Sequence, residues 1–386
     1  LSPLYWITSK SEMLLVVQAF IVGISGLVLF QIGKEVLKNR FLALSILICY
    51  LLFLGLQNAV ISDFHEVTVM TLPLMLTFWA IVKRNVRLYL LFLIITLGFK
   101  EITFSLGIGM GIMLFFLVRE WRKIAFATVF VSLLWGIVAI YIVIPWFSNG
   151  VYIYTPILPP TIKEKALFLF DHPEKRNTLL YSFWSFGFLP LLSPSHWILI
   201  LQDYGIRFLS QGCCTRWNLG LHYNAISSVI LSVSSLYALQ WLKNYKFIRK
   251  YDYLLGVILM LNAFILYRFL LHGPFALAFH PDFYTHTKDF SFLDKMVEGV
   301  TQNVTIMTHN NLATRFTHQK VWLLREDYKN YTPGYILIDA RAGQNPNNFF
   351  PTKNYEKILR KLMTDSDYKI IYNTKEQFIF QRKENK

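Results

Sequence analysis

Long apolar stretches separated by short polar segments make up most of the first 272 residues. Six of them contain roughly 16 to 24 residues each, close to the length of helix that crosses a hydrocarbon core of about 30 Å. These stretches are residues 13–33, 41–60, 67–82, 124–147, 223–242 and 253–272. Shorter apolar segments lie at 179–192 and at 194–210. The pattern predicts a mainly α-helical, polytopic transmembrane bundle with about eight to ten apolar segments.

One longer apolar stretch, residues 88–118, is interrupted by the charged residues Lys100 and Glu101. As a single helix it would be about 46 Å long at a rise of about 1.5 Å per residue, which exceeds the thickness of the hydrocarbon core. Basic residues flank the stretch, with Arg87 directly before it and Arg119 directly after it. The stretch is therefore predicted to be a hairpin of two short helices with Lys100 and Glu101 at its tip.

The composition becomes polar after the last apolar stretch, from residue 273 onward. Strand-like segments lie at 304–307, 335–338, 369–372 and 377–381, and a helical pattern lies at 355–363. These segments predict a small α/β domain over residues 273–386. The transmembrane domain is predicted to be residues 1–272, with one polar loop outside the bilayer at 148–178.

The charge distribution predicts how the bundle is oriented. The net charge of +15 would suggest a nucleic-acid partner in a soluble protein, but only 16% of the residues are charged and the mean hydropathy is +0.41. Many Lys and Arg residues lie in short loops between apolar stretches, which the positive-inside rule places in the cytoplasm, so no nucleic-acid partner is predicted. These loops are 34–40, 83–87, 119–123 and 243–250. The C-terminal domain is then extracytoplasmic, and the expected location is the plasma membrane.

Asp63, His65 and Glu66 form a polar cluster between two predicted spans. Ionisable side chains at membrane depth are costly unless they have a partner or a function. The predicted orientation places the cluster near the outer face, where the carboxylates are candidate catalytic acids or a metal-binding pair and His65 could relay a proton. The alternative is structural, with Asp63 capping the next helix and Glu66 in its first turn.

The same orientation places six further polar residues near the outer face, and they are predicted to bind substrate. They are Lys100, Glu101, Asp203, Arg207, His222 and Tyr223. Lys100 is a candidate for a lipid phosphate, or it forms a structural ion pair across the bundle. Arg207 and Arg216 are further phosphate candidates, or their side chains snorkel to the interface. His222 with Tyr223 could hydrogen-bond a sugar, or His222 is a satisfied interfacial histidine.

No motif of a well-known catalytic or metal site is present in the sequence. Cys49, Cys213 and Cys214 show no CxxC or Cys/His spacing, so no metal site is predicted from them. DxD, Walker A, GxSxG and HExxH motifs are absent, which gives no support to nucleotide-sugar, NTPase or hydrolase functions. No cofactor is certain from the sequence, although a divalent metal is possible.

Five short segments, in order along the chain, resemble a family of prokaryotic multi-pass membrane proteins known as domain-of-unknown-function family 2079. The first is Asp-Phe-His-Glu at 63–66, where the family usually reads D-F-H-P-E, and the second is Leu-Gly-Phe-Lys-Glu at 97–101, which matches L-x-x-K-E. The third and fourth are Gly-Phe-Leu-Pro-Leu-Leu-Ser-Pro at 187–194 and Gly-Leu-His-Tyr at 220–223. The fifth is Thr-His-Asn-Asn-Leu-Ala at 308–313, which is similar to Q-N-N-L-A. The resemblance covers nearly the whole chain, although the proline of the first segment is absent.

This family is grouped with the GT-C glycosyltransferase superfamily, so the resemblance implies a GT-C-like bundle. It also implies transfer of a sugar from a polyprenyl-phosphate donor in the bilayer to an acceptor on the outer face. Such a reaction needs a base for the acceptor hydroxyl, cations for the leaving phosphate and an apolar groove for the lipid tail. In GT-C enzymes an acidic first outer loop supplies the main base, and that loop is expected to precede residue 1 here.

Two other classes of function remain open from the sequence. A transporter or flippase for a lipid-linked or small polar solute would also place Asp, His, Lys and Glu within the membrane. However, the sequence shows no inverted repeat, and its polar residues lie at the ends of the spans. The third hypothesis is a non-catalytic membrane scaffold whose C-terminal domain binds a partner.

Overall fold

The computed structural model describes residues 2–61, 63–148, 150, 152, 157–209, 216–273, 290–301, 303–340, 355–374 and 376–383. Contacts divide the chain into two units, residues 15–276 and residues 1–14 together with 277–386. The elements of the first unit are helices, whereas the second contains a five-stranded sheet. Cys213 and Cys214, together with part of the 148–178 loop, lie outside the described residues.

Fifteen α-helices are present in the described residues of the helical unit, counting the first helix whole although it begins at Glu12. They are α1 (Glu12–Leu37), α2 (Arg40–Leu52), α3 (Leu54–Ile61), α4 (Glu66–Val69), α5 (Thr71–Val82), α6 (Val86–Leu97), α7 (Thr103–Leu117), α8 (Arg122–Val138), α9 (Ile144–Phe147), α10 (Ile162–Phe168), α11 (Pro173–Trp184), α12 (Trp197–Leu209), α13 (Asn224–Leu242), α14 (Lys246–Lys250) and α15 (Asp252–Ile265). π-helical turns at Ala139–Val143 and Leu266–Leu270 continue α8 and α15.

Among these described helices, four continuous ones are long and apolar enough to cross a membrane. They are α1, the helix Arg119–Phe147 that contains α8 and α9, α13, and the helix Asp252–Leu270 that contains α15. α2 and α3 together form a fifth if the 49° bend between them lies within one span. The apolar helices Glu66–Val82, α6 and α7 are shorter. The chain is therefore mainly helical with several helices that could span a membrane, as the hydropathy pattern predicts.

The predicted hairpin at 88–118 is confirmed, because α6 ends at Leu97 and α7 begins at Thr103, leaving Lys100 and Glu101 in the turn. The apolar segment at 179–192 is not a single helix, since one helix ends at Trp184 and a short 3-10 helix follows at Leu189–Leu192. Its helix, α11, begins earlier at Pro173, where His172 Nδ1 accepts a hydrogen bond from the Glu174 backbone N–H at 3.2 Å. The 148–178 loop is also partly helical, since α10 begins at a capping box.

The central helix of the unit is α13, which packs against α2, α3, α5 and α12. It carries five buried serines, Ser227, Ser228, Ser232, Ser234 and Ser235. Four of them donate to carbonyl oxygens three or four residues earlier, for example Ser234 to Ile230 at 2.7 Å. Because these hydroxyls are satisfied within the helix, small polar side chains can be buried and neighbouring helices can approach α13 closely.

The predicted basic loops meet at one end of the helical unit. Lys83 pairs with Glu35, and Arg84 lies 3.5 Å from Glu120. Lys243 Nζ donates to the Leu37 carbonyl at 2.7 Å. The loops that follow α1, α5, α7 and α13 therefore share one end. α6 begins at the basic loop 83–87, and α7 ends at the basic loop 119–123. The turn that joins these two helices therefore lies at the opposite end of the unit.

Glycines allow α7 and α8 to pack at short distance. A Cβ added at Gly111 would lie 2.8 Å from the Ala125 carbonyl oxygen, which belongs to the backbone and cannot rotate away. We expect Gly111→Ala to lower the unfolding free energy by about 1–3 kcal/mol through overpacking. Thermal unfolding of the detergent-solubilised protein measures this. Gly23→Ala is the matched control, since a Cβ there meets nothing within 4 Å, and equal loss in both variants would contradict the close approach.

The second unit is a mixed sheet covered by helices on both faces. Its elements are α16 (Phe290–Glu298), β1 (Ile306–Thr308), α17 (Asn310–Ala313), β2 (Val321–Leu323), β3 (Tyr335–Asp339), α18 (Tyr355–Met363), β4 (Tyr368–Asn373) and β5 (Gln377–Arg382). The strand order is β2-β1-β3-β5-β4, with β1 parallel to β2 and β3, and β5 antiparallel to β3 and β4. The four predicted strands and the predicted helix are present.

Alternate side chains of the central strand, β3, point to opposite faces of the sheet and belong to two small hydrophobic cores. Ile336 packs with residues of α18 on one face, whereas Leu337 packs with residues of α16 on the other. The strand β2 was missed by the sequence pattern, since three residues are too few to show an alternation. Residues near the N-terminus also belong to this unit, where Thr317 Oγ1 donates to the Ser9 carbonyl at 2.6 Å.

Candidate functional site

A cavity of about 410 Å³ lies in the helical unit, at the end that carries the turn between α6 and α7. Its walls come from the start of α4, that turn, α12 and the segment that leads into α13. Seven of the nine predicted site residues line it: His65, Lys100, Glu101, Asp203, Arg207, His222 and Tyr223. Asp63 and Glu66 contact two of the lining residues, as described below. The structure thus brings together polar groups that are as far apart in the sequence as His65 and Tyr223.

The loop that carries Asp63 and His65 is held by a glutamine from α1. Gln18 is fully buried, and its Nε2 donates to the carbonyl oxygens of Val60 at 3.1 Å and Asp63 at 3.0 Å. Its Oε1 accepts from the His65 backbone N–H at 2.9 Å. The sequence analysis did not identify Gln18, although an uncharged polar residue inside an apolar span was a usable signal.

Asp63, His65 and His222 form a compact cluster at the rim of the cavity. Asp63 Oδ1 lies 2.7 Å from His65 Nε2, and the His65 ring stacks on the His222 ring with centroids 3.3 Å apart. Asp63 does not cap the next helix, because the N-cap residue of α4 is His65. Burial, together with the charges of His65 and Lys100, lowers the pKa of His222 to about 4, so this ring is neutral at neutral pH.

Glu66 and Lys100 form an ion pair beside this cluster. Lys100 Nζ lies 3.0 Å from Glu66 Oε1, and both side chains are partly exposed. The structural pairing considered from the sequence is therefore present. An ammonium group has three N–H donors, so one bond to Glu66 leaves Lys100 with capacity for a ligand in the cavity. The predicted carboxylate pair of Asp63 and Glu66 is not a unit, since each pairs with a different partner.

Asp203 and Arg207 lie one turn apart on α12 and are both buried. Arg207 Nη1 lies 3.4 Å from Asp203 Oδ2 and donates to Ser227 Oγ at 2.8 Å, while Nη2 donates to Asn224 Oδ1 at 2.8 Å. Arg207 Nε donates to the Arg216 carbonyl at 2.9 Å. Arg207 therefore does not snorkel. Its donors are occupied by α13 and by the segment before it, which makes it the group that fixes α12 against α13.

Three other polar residues line the cavity, and they differ in how their polar atoms are bonded. Arg216 Nε is buried and has no hydrogen-bond partner among the described residues. Glu101 accepts a hydrogen bond from Tyr152 Oη at 3.1 Å and forms no ion pair within the described part of the chain. Gln202 Nε2 donates to Ser105 Oγ at 2.9 Å. Tyr152, Gln202, Asn224 and Ser227 were not recognised from the sequence, because nothing in their spacing marks them.

Apolar side chains form the remaining wall of the cavity. Val67, Ile102, Leu106, Ile206 and Ile226 line it beside the charged groups. The cavity therefore offers cationic donors, two carboxylates and two imidazoles next to an apolar surface, inside a bundle of apolar helices. Such a cavity suits a ligand that has an anionic head and an apolar chain.

Comparison with curated proteins returned no match to this chain. A model of one protein family does match it, over residues 1–379, and the description of that family is a predicted membrane protein, domain of unknown function 2079. The match covers the helical unit and nearly all of the C-terminal unit, in agreement with the membrane-spanning character of the helices. The chain therefore belongs to the domain-of-unknown-function 2079 family of predicted membrane proteins.

Proposed function

We propose that this protein is a GT-C-like membrane glycosyltransferase that takes a sugar from a polyprenyl-phosphate-linked donor. One observation carries the proposal: charged groups and an apolar wall line the same cavity, at one end of the membrane helices. A polyprenyl-phosphate sugar has the matching chemistry, with a phosphate, a polar sugar and a long apolar chain. Such a chain lies among the apolar tails of the lipids, and the wall of the cavity is apolar in the same way.

The cations of the cavity divide into a structural one and two that can bind phosphate. Arg207 is held by Asp203, Ser227 and Asn224, so it supports the wall. Lys100 keeps unused donor capacity, and Arg216 presents a buried Nε without a partner among the described residues. Lys100 and Arg216 are therefore the proposed ligands of the donor phosphate, where they would neutralise the charge that develops as the phosphate leaves.

Glu101 is the proposed proton acceptor in the transfer step. Of the two carboxylates that line the cavity, Asp203 is bound to Arg207 and Ser227, whereas Glu101 accepts only from a tyrosine among the described residues. The acceptor oxygen attacks the anomeric carbon as its proton passes to Glu101. The bond between that carbon and the phosphate oxygen breaks, and the polyprenyl phosphate leaves with the electron pair. This assignment differs from the catalytic roles that the sequence suggested for Asp63, His65 and Glu66.

The orientation of the site is part of the same proposal. The end of the helical unit that gathers Lys83, Arg84 and Lys243 carries the basic loops, which the positive-inside rule places in the cytoplasm. The cavity lies at the other end and would open on the extracytoplasmic side of the plasma membrane. The positive-inside rule, applied to the order of the spans, also predicts an extracytoplasmic C-terminal unit.

Release of the lipid carrier tests this function without knowledge of the acceptor. Purified protein in lipid nanodiscs is incubated with polyprenyl-phosphate-linked hexoses and a mixture of candidate acceptors, and free polyprenyl phosphate is measured by mass spectrometry. We expect release by the native protein and a loss of about 10²–10³-fold in Lys100→Ala, because a cation at the leaving group is removed. Lys163→Ala, at an exposed position of α10, is the matched control and should retain the native rate.

The result that contradicts the proposal is a native protein that releases no lipid phosphate from any donor. Uptake of a polar solute into sealed vesicles by the same preparation would then favour a transporter. Equal rates in Lys100→Ala and the native protein would remove Lys100 from the mechanism.

A further inference from the structure

Three possible metal ligands meet at the rim of the cavity from two separate loops. Asp63 and His65 come from the segment between α3 and α4, and His222 comes from the segment before α13. One donor atom from each residue lies within 4.8 Å of the donor atoms of the other two. Residues far apart in the chain therefore present two imidazole nitrogens and a carboxylate oxygen to one small volume.

An independent observation points to an unfilled bonding position in this cluster. His222 is only 8% exposed, and its Nδ1 is buried without a hydrogen-bond partner among the described residues. A buried polar nitrogen without a partner is a cost of about 1–3 kcal/mol to the fold. The His65 ring lies against this side chain, with the two ring centroids only 3.3 Å apart. The ring centroids of aromatic pairs are usually about 4.5–7 Å apart.

We propose that Asp63, His65 and His222 bind a divalent transition-metal ion of the Zn²⁺ or Mn²⁺ class. Two imidazoles with one carboxylate form a ligand set that these ions accept, whereas Mg²⁺ and Ca²⁺ prefer oxygen ligands throughout. An ion bound at the edges of the two stacked rings, within reach of one donor atom from each, would give the buried His222 ring a bonding partner. Asp63 is 65% exposed and now contacts His65 Nε2 directly, so its carboxylate can shift to admit an ion.

The protein also holds two of these ligands in place from behind. Gln18 accepts from the His65 backbone N–H and donates to the Asp63 carbonyl, which fixes the backbone on both sides of Phe64. Groups that orient the residues of a metal site in this way are a usual part of its construction. His65 and His222 both line the cavity, so the remaining coordination position of the ion would open toward it. A ligand oxygen or a water molecule could occupy that position.

Metal binding at this cluster does not depend on glycosyl transfer and is measured without any donor. The full-length protein is purified in detergent, stripped with a chelator, passed through gel filtration and titrated with Zn²⁺ and with Co²⁺. We expect one ion per chain and Co²⁺ absorption bands typical of nitrogen and oxygen ligands. His222→Ala and Asp63→Asn should each weaken Zn²⁺ binding by about 10-fold or more, because each change removes or weakens one ligand of three and loss of a mere outer-shell partner already costs about 10–100-fold.

His318→Ala, at an exposed position of the C-terminal unit, is the control and should leave the affinity unchanged. Circular dichroism and gel filtration establish that each variant remains folded. Failure of the native protein to bind one equivalent of either ion would overturn the proposal, as would equal affinity in His222→Ala, Asp63→Asn and the native protein. Because transfer is not the readout, inactivity toward lipid-linked sugars would not produce either of these results.

Discussion

Arg207→Leu is expected to destabilise the helical unit by about 3–5 kcal/mol, the largest stability effect at any position considered in the site. Removal of the guanidinium leaves the Asp203 carboxylate buried opposite an apolar side chain. It also removes the bonds to Ser227 and Asn224, both at 2.8 Å. Because these bonds join α12 to α13, their loss separates a wall of the cavity from the central helix. Thermal unfolding in detergent and the yield of monodisperse protein measure the effect.

A second variant distinguishes loss of an ion pair from loss of packing. In Asp203→Leu/Arg207→Leu no charge is left unpaired, so a large part of the lost stability should return. Arg176→Leu, at an exposed position of α11, is the matched control and should change stability by less than about 0.5 kcal/mol. If Arg207→Leu and Arg176→Leu unfold at the same temperature, the buried network does not hold the two helices together.

Glu101→Gln is expected to reduce the proposed sugar transfer by about 10²–10⁴-fold while the donor still binds. The amide keeps the size of the side chain and can still accept the hydrogen bond from Tyr152, but it cannot take a proton from an acceptor hydroxyl. The measurements are the rate of polyprenyl-phosphate release under saturating donor and, separately, binding of the donor to the protein in nanodiscs. Glu174→Gln, exposed in the first turn of α11, is the control.

The two measurements on Glu101→Gln separate the possible roles of this carboxylate. Loss of rate with retained binding supports a proton acceptor, whereas loss of binding alone would make Glu101 a contact for the sugar. A native rate in Glu101→Gln would return the search for the base to Asp63 and Glu66. Tyr152→Phe, which removes the hydrogen bond to Glu101, should have a smaller effect because the carboxylate itself remains.

The network around Arg207 also shows why the role of a charged residue at the end of a span cannot be decided from the sequence. Arg207 and Lys100 both stand beside apolar residues, and each is a candidate for phosphate on that ground. In the structure, the donors of Arg207 are occupied by Asp203, Ser227, Asn224 and a backbone carbonyl, whereas Lys100 has one partner within the described part of the chain, Glu66. Only the count of hydrogen-bond partners distinguishes a supporting cation from one that is available to a ligand.

The distribution of apolar residues was sufficient to predict the helices that could span a membrane, the hairpin around Lys100 and Glu101, and four strands of the C-terminal sheet. These features depend on local patterns, since a helix that faces lipid must be apolar over its length and a buried strand over its few residues. The start of α11 was missed, because Pro173 and His172 begin a helix in a stretch whose polarity resembled a loop.

The polar site depends on the tertiary structure, because its parts come from four separate regions of the chain. Sequence alone marked Asp63, His65 and His222 as polar residues at the ends of apolar stretches, but not that they share one small volume. Nor could it show that Gln18 holds the loop of Asp63 and His65. Local hydropathy decides which segments become helices, whereas the packing of α12, α13 and the hairpin decides which polar side chains meet, since contacts between distant residues leave no periodic pattern in the sequence.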